Sequence, residues 1–404
     1  MQEIKQRRLK SARLVGPYEK PWLEGSPYRR RELWDKFILW GCIAAGFCIG
    51  GALCYLSYAK VPRHEFCLIM DDHFDNLDNW EYEIQTGGFG VGAFDWTTND
   101  PQNSYVSNNE LHIVPTLTLE STAITPDELV NGYTLNLTLH GGCTSNVSTD
   151  CGVTSNSTSG VIINPVRSAR LTTKGKKTIT YGRIEVVAKM PAGDWLWPAI
   201  WMMPQDSVYG PWPRSGEMDL FESRGNNPKH YGGGINTAIS TLHWGLNLET
   251  DMFQLTSFST ILRRSDYSKG FHTFGMEWTE NYIYTYIDSR LVRVISVGFG
   301  GQNMWQRSGL SSGRYSAQDP WSQTGRDNTP FDQAFYLILN VAVGGTGGYF
   351  QDGVGGKPWV DWDVTTAARD FWMANATWLK TWAPGEGRGM TVKSVKMWQL
   401  GACA

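Results

Sequence analysis

The chain has 404 residues, with 19% charged and 41% hydrophobic side chains, which excludes global disorder and leaves room for a sizeable core. Its formal net charge is −3, and residues 1–36 hold ten Lys or Arg against five Asp or Glu, so the remainder is net acidic and offers no basic face for a nucleic acid. Gly 44 and Trp 19 are the unusual entries, pointing to many tight turns and to either an indole-rich core or a surface that stacks on flat apolar faces such as sugar rings.

After the basic tail of residues 1–36, the stretch Phe37 to Ala59 runs 23 residues without a charge. As a helix it extends about 34 Å, enough for a hydrocarbon core of about 30 Å. Lys36 and Lys60 bracket it, and Trp34, Trp40, Tyr55 and Tyr58 suit the interfaces. A cleaved leader would lie nearer the N-terminus and be shorter. Arg29, Arg30 and Arg31 place the preceding side in the cytoplasm, giving a single-pass type II anchor with a lumenal or extracellular domain. Gly46 and Gly50 form a GxxxG pair, a weak signal for a homodimer through the helix.

Residues 60–65 read as a short stem and 66–404 as one domain. Four sequons, at Asn136, Asn146, Asn156 and Asn375, all follow the apolar stretch. Cys42, Cys48 and Cys54 lie within it, and Cys67, Cys143, Cys151 and Cys403 lie beyond it. Four cysteines allow three pairings. The short interval favours Cys143 with Cys151, and Cys67 with Cys403 would tie the domain's start to its end in an oxidising compartment. The Ser-, Thr- and Asn-rich stretch Ser121 to Gly160 reads as a glycosylated surface insertion. Gln302 to Pro330 reads as a long loop beside a cleft.

Short runs rich in β-branched and aromatic residues, among them Tyr181 to Lys189, Tyr282 to Ile287, Ala334 to Val343 and Met390 to Leu400, predict an all-β sandwich or jelly roll. The run Ser215-Gly216-Glu217-Met218-Asp219-Leu220-Phe221-Glu222 carries the chemistry. In a regular strand Glu217 and Asp219 share a face, and Glu222 falls on the opposite one. A β-bulge between Asp219 and Glu222 returns it to the first face. Three such acids are, by themselves, most often a solvated strand face. Gathered on one face of a cleft, they suit retaining glycoside hydrolysis: Glu217 as nucleophile, Asp219 assisting, Glu222 as acid and then base.

The surroundings of this run resemble glycoside hydrolase family 16, in particular the laminarinases and the related β-1,3-glucan recognition proteins of invertebrates. Besides GEMDLFESRGN at 216–226, the resemblance rests on GDWLWPAIWMMP at 193–204, STLHWG at 240–245, GFHTFGMEWT at 270–279, LNVAVGG at 339–345 and GKPWVDW at 356–362. It implies a jelly roll with the glucan on its concave sheet and the same three catalytic roles. It also implies a β-1,3-glucan partner, tolerance of mixed β-1,3/1,4 chains being open. Trp195, Trp197 and Trp201 are implied as stacking surfaces, His243 and Trp244 as a wall, and His272 and Asn340 as hydrogen-bonding groups; Arg214 is either a ligand for a carboxylate or hydroxyl or a solvated loop residue.

Two departures stand out. The family usually has arginine where this chain has Val187, and many relatives have a calcium-binding aspartate near Lys393; no metal is expected. No cofactor is expected either, since phosphate-loop and zinc-ligand patterns are missing. The basic tail and anchor resemble membrane-tethered fungal members that assemble wall β-glucan, so a transglycosylase stays open beside the hydrolase. A non-catalytic glucan sensor is the third reading, against which both glutamates stand.

Overall fold

A computed structural model describes residues 12, 13, 15–19, 21, 27–61, 63–140, 142–310 and 318–403. The start of the basic tail and the middle of the 302–330 loop lie outside them. The chain divides into two units, Met1–His64 and Glu65–Ala404. In the first, residues Arg29–Ala59 form one helix, charged over its first turns and apolar beyond them, with no buried residue. Its length and composition are those of a segment able to cross a membrane or of a signal sequence.

The second unit is a two-layer β-sandwich. One layer has seven strands: β1 (Glu81–Tyr82), β2 (Arg170–Thr172), β3 (Leu196–Pro204), β4 (Glu217–Glu222), β5 (Thr237–His243), β6 (Ser257–Ile261) and β7 (Phe335–Val343), in the order β6-β5-β4-β3-β7-β2-β1. The other has eight strands. Its centre is Gly182–Lys189, flanked by His272–Trp278 and by Met390–Leu400. The alternating burial of Gly182–Lys189 sends Ile184, Val186 and Ala188 inward, where they share one apolar core with Ile200, Met202, Met218 and Phe221 of the seven-stranded layer.

Phe66–Asp72 pairs with Met390–Leu400, and Cys67 and Cys403 form a disulfide beside that pairing. Cys143 and Cys151 form the second, both as expected from the sequence. Residues 121–160 are more than a surface insertion. Leu129, Leu135 and Leu137 bury themselves with Ile84, Trp96, Ile124 and Ile163 in a satellite core. Asn146 and Asn156 are exposed, and Asn136 and Asn375 are partly exposed.

Candidate active site

The bulge is where parity requires it. Along β4 and β5, Asp219 lies opposite Thr241 and Glu222 opposite Ile239, so three steps on β4 match two on β5. The same irregularity appears against β3, where Ile200 faces Phe221 and Trp201 faces Asp219. Met218, Leu220 and Phe221 all enter the core, one more than alternation alone suggests, because the extra residue at the bulge is also apolar.

Cross-strand register then builds a floor. One row runs Ile239, Glu222, Ala199, Asn340, Arg170 across five strands. The next holds Thr241, Asp219 and Trp201, and a third pairs Glu217 with His243. In a pleated sheet, directly opposed residues share a face. Glu217, Asp219 and Glu222 therefore lie together, with Trp201, Asn340 and His243 around them. Ala199, the smallest member, leaves room between Trp197 and Trp201.

Each carboxyl has a dedicated partner. The Trp212 indole N–H donates to Glu217 Oε2 at 2.5 Å, and that of Trp197 donates to Glu222 Oε1 at 2.8 Å. Trp197 lies flat on Tyr349, ring centroids 3.9 Å apart. Asp219 is buried, 3.4 Å from His243 Nε2. The other imidazole nitrogen, Nδ1, is 2.6 Å from Asp251 Oδ2, and Asp251 Oδ1 accepts from the Trp244 backbone N–H.

Burial, followed by repulsion from Asp219, pushes the Glu217 carboxyl up to about 8. Burial and the nearby Glu222 raise Asp219 to about 6. Glu222 is raised too, by burial first, against the opposing hydrogen bond from Trp197. Burial works to lower His243, but its hydrogen bonds to Asp219 and Asp251 outweigh that and lift it well above 6.5. The cluster is thus three carboxyls sharing protons beside an imidazolium, and its titration belongs to the group as a whole. Ligand atoms of Glu217, Asp219 and His243 lie within 4.8 Å of one another. With Nδ1 bonded to Asp251 and Nε2 facing Asp219 at 3.4 Å, this set has the chemistry of a proton network.

Several expected binding residues are elsewhere. Trp195 is 2% exposed; its φ of 70° at the turn before β3 swings the indole inward against Trp359 and Phe350. Trp244 is fully buried, since it follows His243 and alternation sends it to the opposite face; its indole bonds Thr256 Oγ1. His272 belongs to the eight-stranded layer, where it pairs with Asp288 at 2.8 Å. Val187 is in that layer as well, opposite Ser394 and pointing outward, so an arginine there would not reach these carboxyls. Arg214 bonds the Leu246 carbonyl and braces the loop that carries Trp212. Trp321, from the 302–330 segment, donates to the Arg214 carbonyl and supports the same loop.

Trp197, Trp201, His243 and Asn340 are at the site, and Trp201 Nε1 donates to Asn340 Oδ1 at 2.7 Å. Sequence reasoning missed Trp212, Tyr349 and Arg170. For Trp212 there was a signal, an indole five residues before Glu217 in a Gly-Pro-Trp-Pro turn.

Fold and site together define a jelly-roll domain whose seven-stranded layer presents acidic and aromatic side chains on one face. The chain belongs to the glycosyl hydrolases family 16, whose model matches residues 127–329. A β-1,3-glucan-binding protein of Penaeus monodon is 39% identical over 350 residues, covering 83% of this chain and 90% of that protein. A glucan endo-1,3-beta-glucosidase of Cryptopygus antarcticus is 34% identical over 226 residues, covering 54% of this chain and 69% of that one. Among solved structures, the catalytic domain of an endo-1,3-beta-glucanase (laminarinase) from Thermotoga petrophila aligns with a TM-score of 0.50 at 21% identity, over 84% of this chain and all of that one, a likeness of fold.

Proposed function

We propose that the chain is a membrane-anchored retaining endo-β-1,3-glucanase. The observation that carries this reading is the bulge that puts Glu217 and Glu222 on one face, each with its own indole donor. The carboxyls share their protons, and the form that reacts in the first step has the charge on Glu217 and the proton on Glu222: Glu217 attacks the anomeric carbon while Glu222 gives its proton to the departing glycosidic oxygen. In the second, Glu222 takes a proton from water, which attacks the same carbon and releases Glu217. Asp219, held by the His243–Asp251 pair, keeps the proton count of the cluster in range for both steps. Passing the intermediate to a sugar hydroxyl in place of water would make the same site a transglycosylase. The sequons beyond the apolar helix, together with the two disulfides, support a domain outside the cytosol.

A second reading, binding without cleavage, is favoured by the Penaeus relative, which is named for glucan binding and spans most of both chains. The test is incubation of the full-length protein in detergent with laminarin and laminari-oligosaccharides, beside Glu217→Gln, with products sized by mass spectrometry. Shorter products from the native protein alone support hydrolysis, and longer ones transglycosylation. Binding by both with no bond change refutes the enzyme and leaves a glucan receptor.

A further inference from the structure

Phe89 holds a left-handed conformation (φ 51°, ψ 36°) among glycines that could adopt it without cost. A bulky side chain kept at such a position, at a cost of about 1 kcal/mol, points to something its ring does. That ring lies over the Arg170 guanidinium at 4.0 Å, and the same guanidinium lies over the Trp201 indole at 4.6 Å. Arg170 is buried in the floor row beside Asn340, and Glu83 fixes its Nε at 2.5 Å. The result is a stack of Phe89, Arg170 and Trp201, with the Trp201 indole further pinned by Asn340.

The disulfide-closed segment anchors the residues that lead into Phe89. Asp150, next to Cys151, takes the Thr86 N–H at 2.7 Å and the Thr86 hydroxyl at 3.0 Å through its backbone carbonyl. Thr144, next to Cys143, exchanges bonds with the Ile84 backbone at 2.7 and 2.9 Å. At Gly87 an added Cβ would collide with the Asp150 carboxylate, so segment and loop are in close contact. On the far side Thr346 N–H donates to the Val91 carbonyl, and Gly92 faces Thr346 too closely for a side chain. The loop is wedged between the segment and the turn after β7.

We propose that Phe89 is a positioning residue: the Cys143–Cys151 segment presses its ring onto Arg170, and this stack fixes the Trp201 face presented to the glucan. The inference rests on the reading of this face as a glucan site. Phe89 and Arg170 reach this face through the Trp201 indole, so the larger effect is expected on binding.

The test uses the full-length protein in detergent and the variants Phe89→Ala, Phe89→Tyr and Cys143→Ser/Cys151→Ser. Phe89→Ala is expected to raise KM for laminari-oligosaccharides about fivefold with kcat within about twofold. Phe89→Tyr restores the native values, and the cysteine pair variant moves KM in the same direction as Phe89→Ala. Fluorine NMR of fluorotryptophan-labelled protein, with the Trp201 signal assigned through Trp201→Phe, should show that signal displaced in sugar-free Phe89→Ala. An unmoved Trp201 signal overturns the proposal whether or not the protein cleaves glucan. So does an unchanged KM in an active native background, or a loss that Phe89→Tyr does not rescue. If the native protein cleaves nothing, the hydrolase reading has failed separately, and laminarin Kd takes the place of KM.

Discussion

Glu217→Gln should make the protein more stable while making it inactive, and the gain should depend on pH. In the folded chain the Glu217 carboxyl is raised from 4.5 to about 8. A raised carboxyl keeps its proton on folding, so its contribution to stability is complete below the unfolded value and disappears as pH climbs through the folded one. At about 1.4 kcal/mol per unit, the full interval corresponds to about 5 kcal/mol. Glu217 is only partly buried and shares protons with Asp219, and water at the rim reduces this to about 2 kcal/mol. Glutamine has the same shape, never ionises, and still offers an oxygen to the Trp212 N–H. In scanning calorimetry the variant should match the native protein near pH 4.5 and melt about 3 °C higher at pH 8. A gain of equal size at both pH values, or a loss at pH 8, would refute the idea that an unfavourable buried charge is stored at this position.

Glu222→Gln should lower kcat by about 10²–10⁴-fold on laminarin and by much less on an aryl glucoside whose leaving group needs no proton, compared by steady-state kinetics. Trp197→Phe keeps the stack on Tyr349 but removes the N–H that holds Glu222 down, so the alkaline limb of the kcat/KM profile should move to higher pH. Asp251→Asn removes one of the two carboxylates that lift His243, and the imidazole should then titrate at lower pH when followed by NMR. Cys67→Ser opens a loop of sequence separation 336 and should cost about 2–5 kcal/mol, read from denaturant melts against reducing conditions.

The acidic strand was the most legible part of the sequence because parity is local: an odd interval between Glu217 and Glu222 demands one extra residue if both are to share a face. Local parity also separates His243 from Trp244, and applying it there would have kept Trp244 out of the expected wall. Trp195 escapes it, since the residue lies in a turn whose left-handed backbone cancels alternation. His272 shows a different limit. Its own segment reads as a strand, but which of two layers takes that strand depends on pairings with Gly182–Lys189 and Tyr282–Ile287. Arg170 and Phe89 are 81 residues apart in the sequence, and Arg170 and Trp201 are 31 apart. No periodicity links them, because their contact is made by the register of β2 on β7 and by a loop wedged from both sides.

The pairing of Phe66–Asp72 with Met390–Leu400, stapled by Cys67 and Cys403, has a mechanical side. A pull entering at Glu65 along the strand loads the register pairs from Phe66↔Leu400 to Asp72↔Val395 together, in shear. Peeling from that end is blocked first by a covalent bond. On the proposed reading of a tethered glucan-binding domain, tension entering at residue 65 would pass through this corner of the eight-stranded layer, which is not the layer that holds the carboxyls. Load could then reach the tether without opening the sandwich.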